Sequence, residues 1–230
     1  RPAHDPAQDV AAILVGGDDA VGDQHRGGAT VIGLLNPFDA DGVRSLASSG
    51  ATGFDSKTYE HIKNWYDTQA WLPKNIPPSA ATTVVHGDFR LDNAIFHPSE
   101  PRILAVLDWE LSTLGDPLAD FAYHCMSWHI PPGQFRGIGG LNLEELGIPS
   151  ERLYVARYCE RTNRGEINPT HWDFYLAYNL FRIAAILQGI LKRVVDGTAA
   201  SAHARDAGTR ARPMAELGWQ QVEKILRRAA

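Results

Sequence analysis

The chain has 230 residues, enough for one large domain or two small ones with a sizeable buried core. Its composition, 44% hydrophobic and 21% charged, is that of an ordinary globular protein, and a net charge of −5 without a long basic run points away from nucleic acid or an anionic membrane as partner. Two cysteines, Cys125 and Cys159, are too few for a disulfide framework or a thiolate zinc site and fit a reduced, cytoplasmic compartment.

Residues 1–12 lack a basic region followed by an apolar one, so no signal peptide is expected. The first 56 residues hold nine Gly, eight Asp and no Trp, Tyr or Lys. Two short apolar runs, "AAILVG" and "ATVIGLL", could be strands, but Gly and Asp surround them, and the segment reads as weakly structured. From Ser56 the character changes. "SKTYEHIKNWYDTQAWL" predicts a helix with Ser56 as N-cap and Tyr59, Ile62, Trp65 and Tyr66 on one face. "TTVVH" (82–86), "AIFH" (94–97) and "ILAVLDW" (103–109) predict three strands, the last two joined through "PSEP" as a hairpin.

The rest is helical. "GDPLADFAYHCMSWH" has Asp116 at the N-cap and Pro117 at the first helical position, and "PSERLYVARYCERTN" starts at Ser150. A long helix is expected from Thr170, with Asp173 completing a capping box, to a stop at Gly197. Asn179, Arg182 and Gln188 interrupt its apolar stretch, which reads as a buried helix rather than a membrane span. "TAASAHARDAGTRAR" has the composition of a mobile connector, and a final helix begins near Pro213. Strands followed by helices indicate an α+β fold that is mostly helical.

Asp88, Asn93 and Asp108 stand out by spacing. A turn before the hairpin and a residue at its far end bring Asn93 and Asp108 together, so that a carboxylate and an amide oxygen converge as Mg²⁺ requires. Asp88 then lies beside the metal, free to accept a proton from a hydroxyl, with a cation nearby for phosphate: a phosphoryl-transfer site. Each residue also has a plainer reading. Asp and Asn favour turns. Arg90 can pair with Asp92 on the surface, Asp116 can serve as a helix cap, Asp120 can face His124 at i+4, and the histidines at 97, 124 and 129 can be packed or surface side chains.

"HGDFRLDN", "LAVLDWE" and "GDPLADFA", in that order, resemble the catalytic segment of the aminoglycoside phosphotransferase family, which shares the protein-kinase-like fold. The likeness runs from about Lys57 to Trp219 and is closest to the kinase-like domains related to those fused to some acyl-CoA dehydrogenases. It implies a C-terminal lobe over 57–230 carrying the catalytic loop and acceptor-binding helices, with 1–56 an incomplete or atypical N-terminal lobe. By position, Asp88 resembles the catalytic base and Asn93 and Asp108 the metal ligands, while Arg90 stands where many protein kinases place a phosphate-contacting Lys. His86 and Asp120 resemble a loop-bracing pair.

The implied activity is transfer of a phosphoryl group from ATP, with Mg²⁺, to a hydroxyl of a small molecule. The region 141–219 is expected to form the acceptor pocket. Its acidic "NLEELGIPSE" would suit a cationic acceptor or simply be a solvated helix face; the dehydrogenase-linked resemblance points to a hydroxy acid or hydroxyacyl-CoA. An N-terminal lobe of this fold needs roughly 70 residues and a strand lysine, whereas 56 lysine-free residues precede Lys57. Weak nucleotide binding and slow turnover are therefore expected. Two rival readings are a catalytically silent kinase-like binding module and a metal-dependent hydrolase built on Asp88, Asp108 and histidines. The oligomeric state is not legible.

Overall fold

Buried Trp65 and Thr68 give the first helix an inward stripe, which buried Leu72 continues just past its end. The computed structural model describes residues 56–79 and 81–230, so the expected irregular segment before Ser56 lies outside the described residues. Helix α1 (Ser56–Trp71) runs into a 3₁₀ turn at Leu72–Lys74. The expected hairpin is present: β2 (Ala94–Phe96) pairs antiparallel with β3 (Ile103–Val106), in register Ala94↔Val106. The first predicted strand is β1 (Thr83–Val85), and its partner is β4 (Thr113–Gly115), which sequence reading missed. At three residues ending in glycine it shows no alternation, and only the pairing Thr83↔Gly115 reveals it.

Helices follow: α2 (Pro117–Cys125), α3 (Glu151–Arg161), α4 (Pro169–Val195), α5 (Ala204–Thr209) and α6 (Ala211–Ala229). The Ser150 hydroxyl accepts the Leu153 N–H at 3.3 Å and caps α3 as expected. The α4 cap differs from expectation. Asn168 Oδ1 accepts the Thr170 N–H at 2.8 Å, so Asn168 caps a helix that starts at Pro169, one residue before Thr170. A Pro at N1 has no N–H to leave unsatisfied, which makes the earlier start the better one. At the far end Gly197 takes φ +71° and the Thr198 N–H returns to Arg193 O at 2.9 Å, closing the helix as a Schellman turn.

The expected mobile connector after Gly197 is corrected by α5. Its small residues pack instead of moving: Ala204 is buried, and a Cβ added at Gly208 would fall 2.7 Å from Leu191 Cβ. Two compact units divide the chain. One runs Pro77–Asn179 and holds both two-stranded sheets, α2, α3 and the start of α4; the other holds, among the described residues, α1, the rest of α4, α5 and α6. Within the first, Phe121, Ile130, Phe174 and Leu176 are buried; within the second, Leu72, Leu180, Met214 and Val222 are buried, and Trp65 packs on Phe181 with ring centroids 4.9 Å apart. Helix α4 is long and apolar enough over Pro169–Val194 to cross a membrane by length and composition, and 72% of that window is buried inside the protein.

Asn179 shows why a polar residue survives in this helix. It is 1% exposed, and its Nδ2 donates to Ala119 O at 3.0 Å and Tyr175 O at 2.9 Å, tying α4 to α2. Asn179→Ala removes both bonds and leaves a gap, so unfolding stability should fall by about 1–3 kcal/mol. Chemical denaturation checks this; a loss below about 0.5 kcal/mol would mean the tie is dispensable.

Candidate active site

The loop after β1 turns on Gly87, which sits at φ +83°; a Cβ there would lie 2.5 Å from Leu111 O. Both the dihedral and the space demand glycine. The two amides at this bend are taken by one carboxylate. Asp120 accepts the His86 N–H at Oδ2 and the Gly87 N–H at Oδ1, the latter at 2.8 Å. Asp120 is carried by α2, whose start is fixed by Asp116: Oδ1 caps the Leu118 N–H at 2.8 Å, and Oδ2 accepts from Ser79 Oγ at 2.9 Å and the Tyr175 hydroxyl at 3.0 Å. Burial first, then the Asp116 charge, push Tyr175 ionisation upward and keep it a donor.

His86 is 3% exposed and links two segments. Its Nδ1 accepts the Asp88 N–H at 3.2 Å, and its Nε2 lies 2.7 Å from Leu107 O. These partners assign the ring proton to Nε2. His86 and Asp120 thus meet through the loop backbone, and the ring reaches toward the residue before Asp108.

Asp88 is held on both oxygens. The Tyr123 hydroxyl donates to Oδ1 at 2.7 Å and Asn93 Nδ2 donates to Oδ2 at 3.1 Å. Arg90 Nε lies 2.9 Å from Oδ2, yet this buried nitrogen has no aligned hydrogen-bond partner, so the contact is one of charge rather than of directed donation. Asn93 is buried, and its Nδ2 also donates to the Asp88 carbonyl at 3.0 Å. With the amide nitrogen so committed, the Asn93 Oδ1 is the group left to receive a ligand. Asp108 is exposed and sits in the left-handed region at φ 67°, ψ 50°, where Asp is among the tolerated residues. It caps nothing with its side chain. The Leu107 N–H donates to Asn93 O at 2.8 Å, so the hairpin register sets Asp108 one residue beyond a main-chain bond to Asn93.

Beside Tyr123 opens a cavity of about 530 Å³. Its walls are largely aromatic and aliphatic, with Trp128, Phe135, Ile148 and Tyr154 among them, and Arg90, Asp92 and Arg136 supply charge. Asp92 Oδ2 lies 3.6 Å from Arg90 Nη1 and 2.5 Å from Arg136 Nη2, so Arg90 pairs with Asp92 as well as with Asp88. Of the expected acceptor region 141–219, Ile148, Pro149 and Tyr154 reach this cavity. The larger share comes from residues 90–92 and 123–138, and of these the stretch 130–138 had no part in the sequence reading. The signal was "GQFRGIGG": a Cβ at Gly137 or Gly139 would fall 2.2 or 3.0 Å from Ile130 O, which folds that segment tightly onto itself. Among the described residues no group of three His, Cys, Asp or Glu side chains gathers as a metal site, which gives the hydrolase reading no ligand set.

His124 also lines the cavity, against the rings of Phe89, Trp128 and Tyr154, and burial lowers its pKa. A histidine with a depressed folded pKa binds its proton more readily when unfolded. Its stabilising effect is complete above the ordinary value of about 6.5 and is lost as pH falls toward the folded pKa. Stability of His124→Phe should therefore decline less than wild type between about pH 7 and 5; parallel curves would contradict this. Gly87→Ala should cost about 2–4 kcal/mol, from strain at positive φ and collision with Leu111 O, as read by thermal or chemical unfolding. A near-neutral effect would show that the bend can relax.

The phosphotransferase enzyme family matches residues 35–154. A crystal structure of a "putative aminoglycoside phosphotransferase" from Ralstonia eutropha superposes with a TM-score of 0.67 at 46% identity, over 97% of this chain and 68% of that one. Mouse acyl-CoA dehydrogenase family member 10 is 49% identical over 156 residues, 67% of this chain and 14% of its own length. The Arabidopsis thaliana protein described as probable acyl-CoA dehydrogenase IBR3 is 38% identical over 73% of this chain and 22% of its own length. The chain thus spans between a seventh and a quarter of the curated relatives it matches. By sequence and by its α+β, protein-kinase-like fold, the chain belongs to the phosphotransferase enzyme family.

Proposed function

We propose that the chain transfers the γ-phosphoryl group of ATP, with Mg²⁺, to a hydroxyl of a small molecule. The observation that carries this reading is the Asp88 carboxylate, held by Tyr123, Asn93 and Arg90 at the edge of an apolar cavity large enough for a small acceptor. Asp88 takes the proton of the acceptor hydroxyl as that oxygen attacks phosphorus. Arg90 lies close enough to balance phosphate charge.

Two hard oxygens suit Mg²⁺: Asn93 Oδ1, left free by its committed nitrogen, and the Asp108 carboxylate, which has no intramolecular partner among the described residues. Bound there, the ion would neutralise charge on the phosphates. His86 and Asp120 act at one remove, by fixing the loop on which Asp88 and Asn93 stand.

An acceptor body lying against Trp128, Tyr154 and Phe135 should be apolar or planar, and an anionic group on it could compete with Asp92 for Arg90 and Arg136. These features support a hydroxy acid or hydroxyacyl-CoA over a polycation, in keeping with the acyl-CoA dehydrogenase names among the relatives. The rival reading is a catalytically silent kinase-like binding module.

Asp88→Asn separates the two. With MgATP and a panel of hydroxyacyl-CoA and aminoglycoside acceptors, ADP release by the folded variant should drop ~10²–10⁴-fold with nucleotide affinity little changed. Equal turnover in variant and wild type would remove Asp88 from the role of base, and no turnover in either would favour the silent module.

A further inference from the structure

Asp120 and Tyr123 stand three residues apart on α2, hence on one face of it. Asp120 holds the main chain of the catalytic loop at His86 and Gly87, and Tyr123 holds its working carboxylate at Asp88 Oδ1. One helix face thus sets both the course of the loop and the orientation of the side chain it presents. Tyr123 is 5% exposed but also lines the cavity, so it lies where acceptor and base would meet.

The two oxygens of Asp88 differ in their surroundings. Oδ2 faces both Asn93 Nδ2 and Arg90 Nε, while Oδ1 has the single Tyr123 donor. Each oxygen thus receives one directed hydrogen bond, but the Arg90 charge 2.9 Å from Oδ2 makes that oxygen the poorer proton acceptor, while Oδ1 keeps an open lone-pair site away from the guanidinium. That remaining site is on the oxygen bound to a cavity-lining residue. Resting on the phosphotransfer reading above, we infer that Asp88 Oδ1 is the atom that takes the acceptor's proton and that Tyr123 is the positioning residue that aims it. In the step, the hydroxyl proton passes to Oδ1, the acceptor oxygen's electron pair forms the new bond to the γ-phosphorus, and the bond from that phosphorus to the bridging oxygen breaks. ADP departs with that pair.

Without the phenol, Asp88 is tethered on its Oδ2 side alone and free to swing its other oxygen off the line of attack. A misplacement of about 1 Å in such a group can cost ~10²-fold in rate. Nucleotide affinity should be spared.

The test compares the full chain with Tyr123→Phe, which removes one oxygen and little volume. Crystal structures of both need no ligand: the wild type should show one Asp88 conformer with Oδ1 on the phenol, and the variant should show Asp88 rotated or split between conformers. Phosphate release from MgATP, with water as acceptor, should fall ~10–10²-fold in kcat with KM for MgATP unchanged. An Asp88 that keeps its single conformer together with an unchanged kcat would overturn the inference, and so would a matching rise in KM, the mark of a loosened fold. Should the wild type release no phosphate, the phosphotransfer reading and the proton-accepting role of Oδ1 fall together, and the paired crystal structures still decide whether Tyr123 orients Asp88.

Discussion

A single carboxylate, that of Asp120, governs the geometry of the site. It binds the successive amides of His86 and Gly87, and those two bonds decide where the loop carrying Asp88 and Asn93 leaves the first strand. Hydrogen bonds to a charged acceptor contribute about 1.5–3 kcal/mol each, roughly twice a neutral pair, so this anchor outweighs any other contact the loop makes with the helix. Asp116, one turn earlier, holds that helix in place through its cap and through Ser79 and Tyr175. The acids on α2 are therefore structural in different ways, one starting the helix and the other using it.

From that anchor the remaining parts follow in order. The His86 ring, fixed by the amide of Asp88, reaches across to Leu107 O and so joins the loop to the strand that ends before Asp108. Strand pairing completes the link through the Leu107 amide and Asn93 O. Charge alternates from Asp88 into the cavity lining, Arg90, Asp92, Arg136, so that each arginine has an acidic neighbour. Arg136 adopts φ 49° and stacks 5.0 Å over Phe135, so the ring supports a guanidinium carried on a left-handed backbone.

Much of this was legible in the residues, for physical reasons that also explain what was not. Asp116 followed by Pro117 is a local signal, since cap and ring act on the next turn alone, and the helix begins there. The hairpin was legible because "PSEP" separates two apolar runs. β4 was not, because three residues carry no period and its existence depends on a partner 30 residues away. The Ala-rich connector misled because its composition suggests mobility, while burial of Ala204 and the close fit of Gly208 to Leu191 are tertiary facts. Within the site, motif spacing picked out Asp88, Asn93 and Asp108, but nothing local announced Tyr123. An aromatic in a helix normally signals core, and only the fold turns its hydroxyl toward a carboxylate 35 residues earlier.

The most direct test of the phosphoryl-transfer account is calorimetric titration of the chain with ATP, with Mg²⁺, and with both together, for wild type and Asp108→Ala. If Asn93 and Asp108 hold the ion that carries the phosphates, binding heat appears only when ATP and Mg²⁺ are both present and is lost in Asp108→Ala. Heat from Mg²⁺ alone that ATP leaves unchanged, or MgATP binding that survives Asp108→Ala at full affinity, would contradict it.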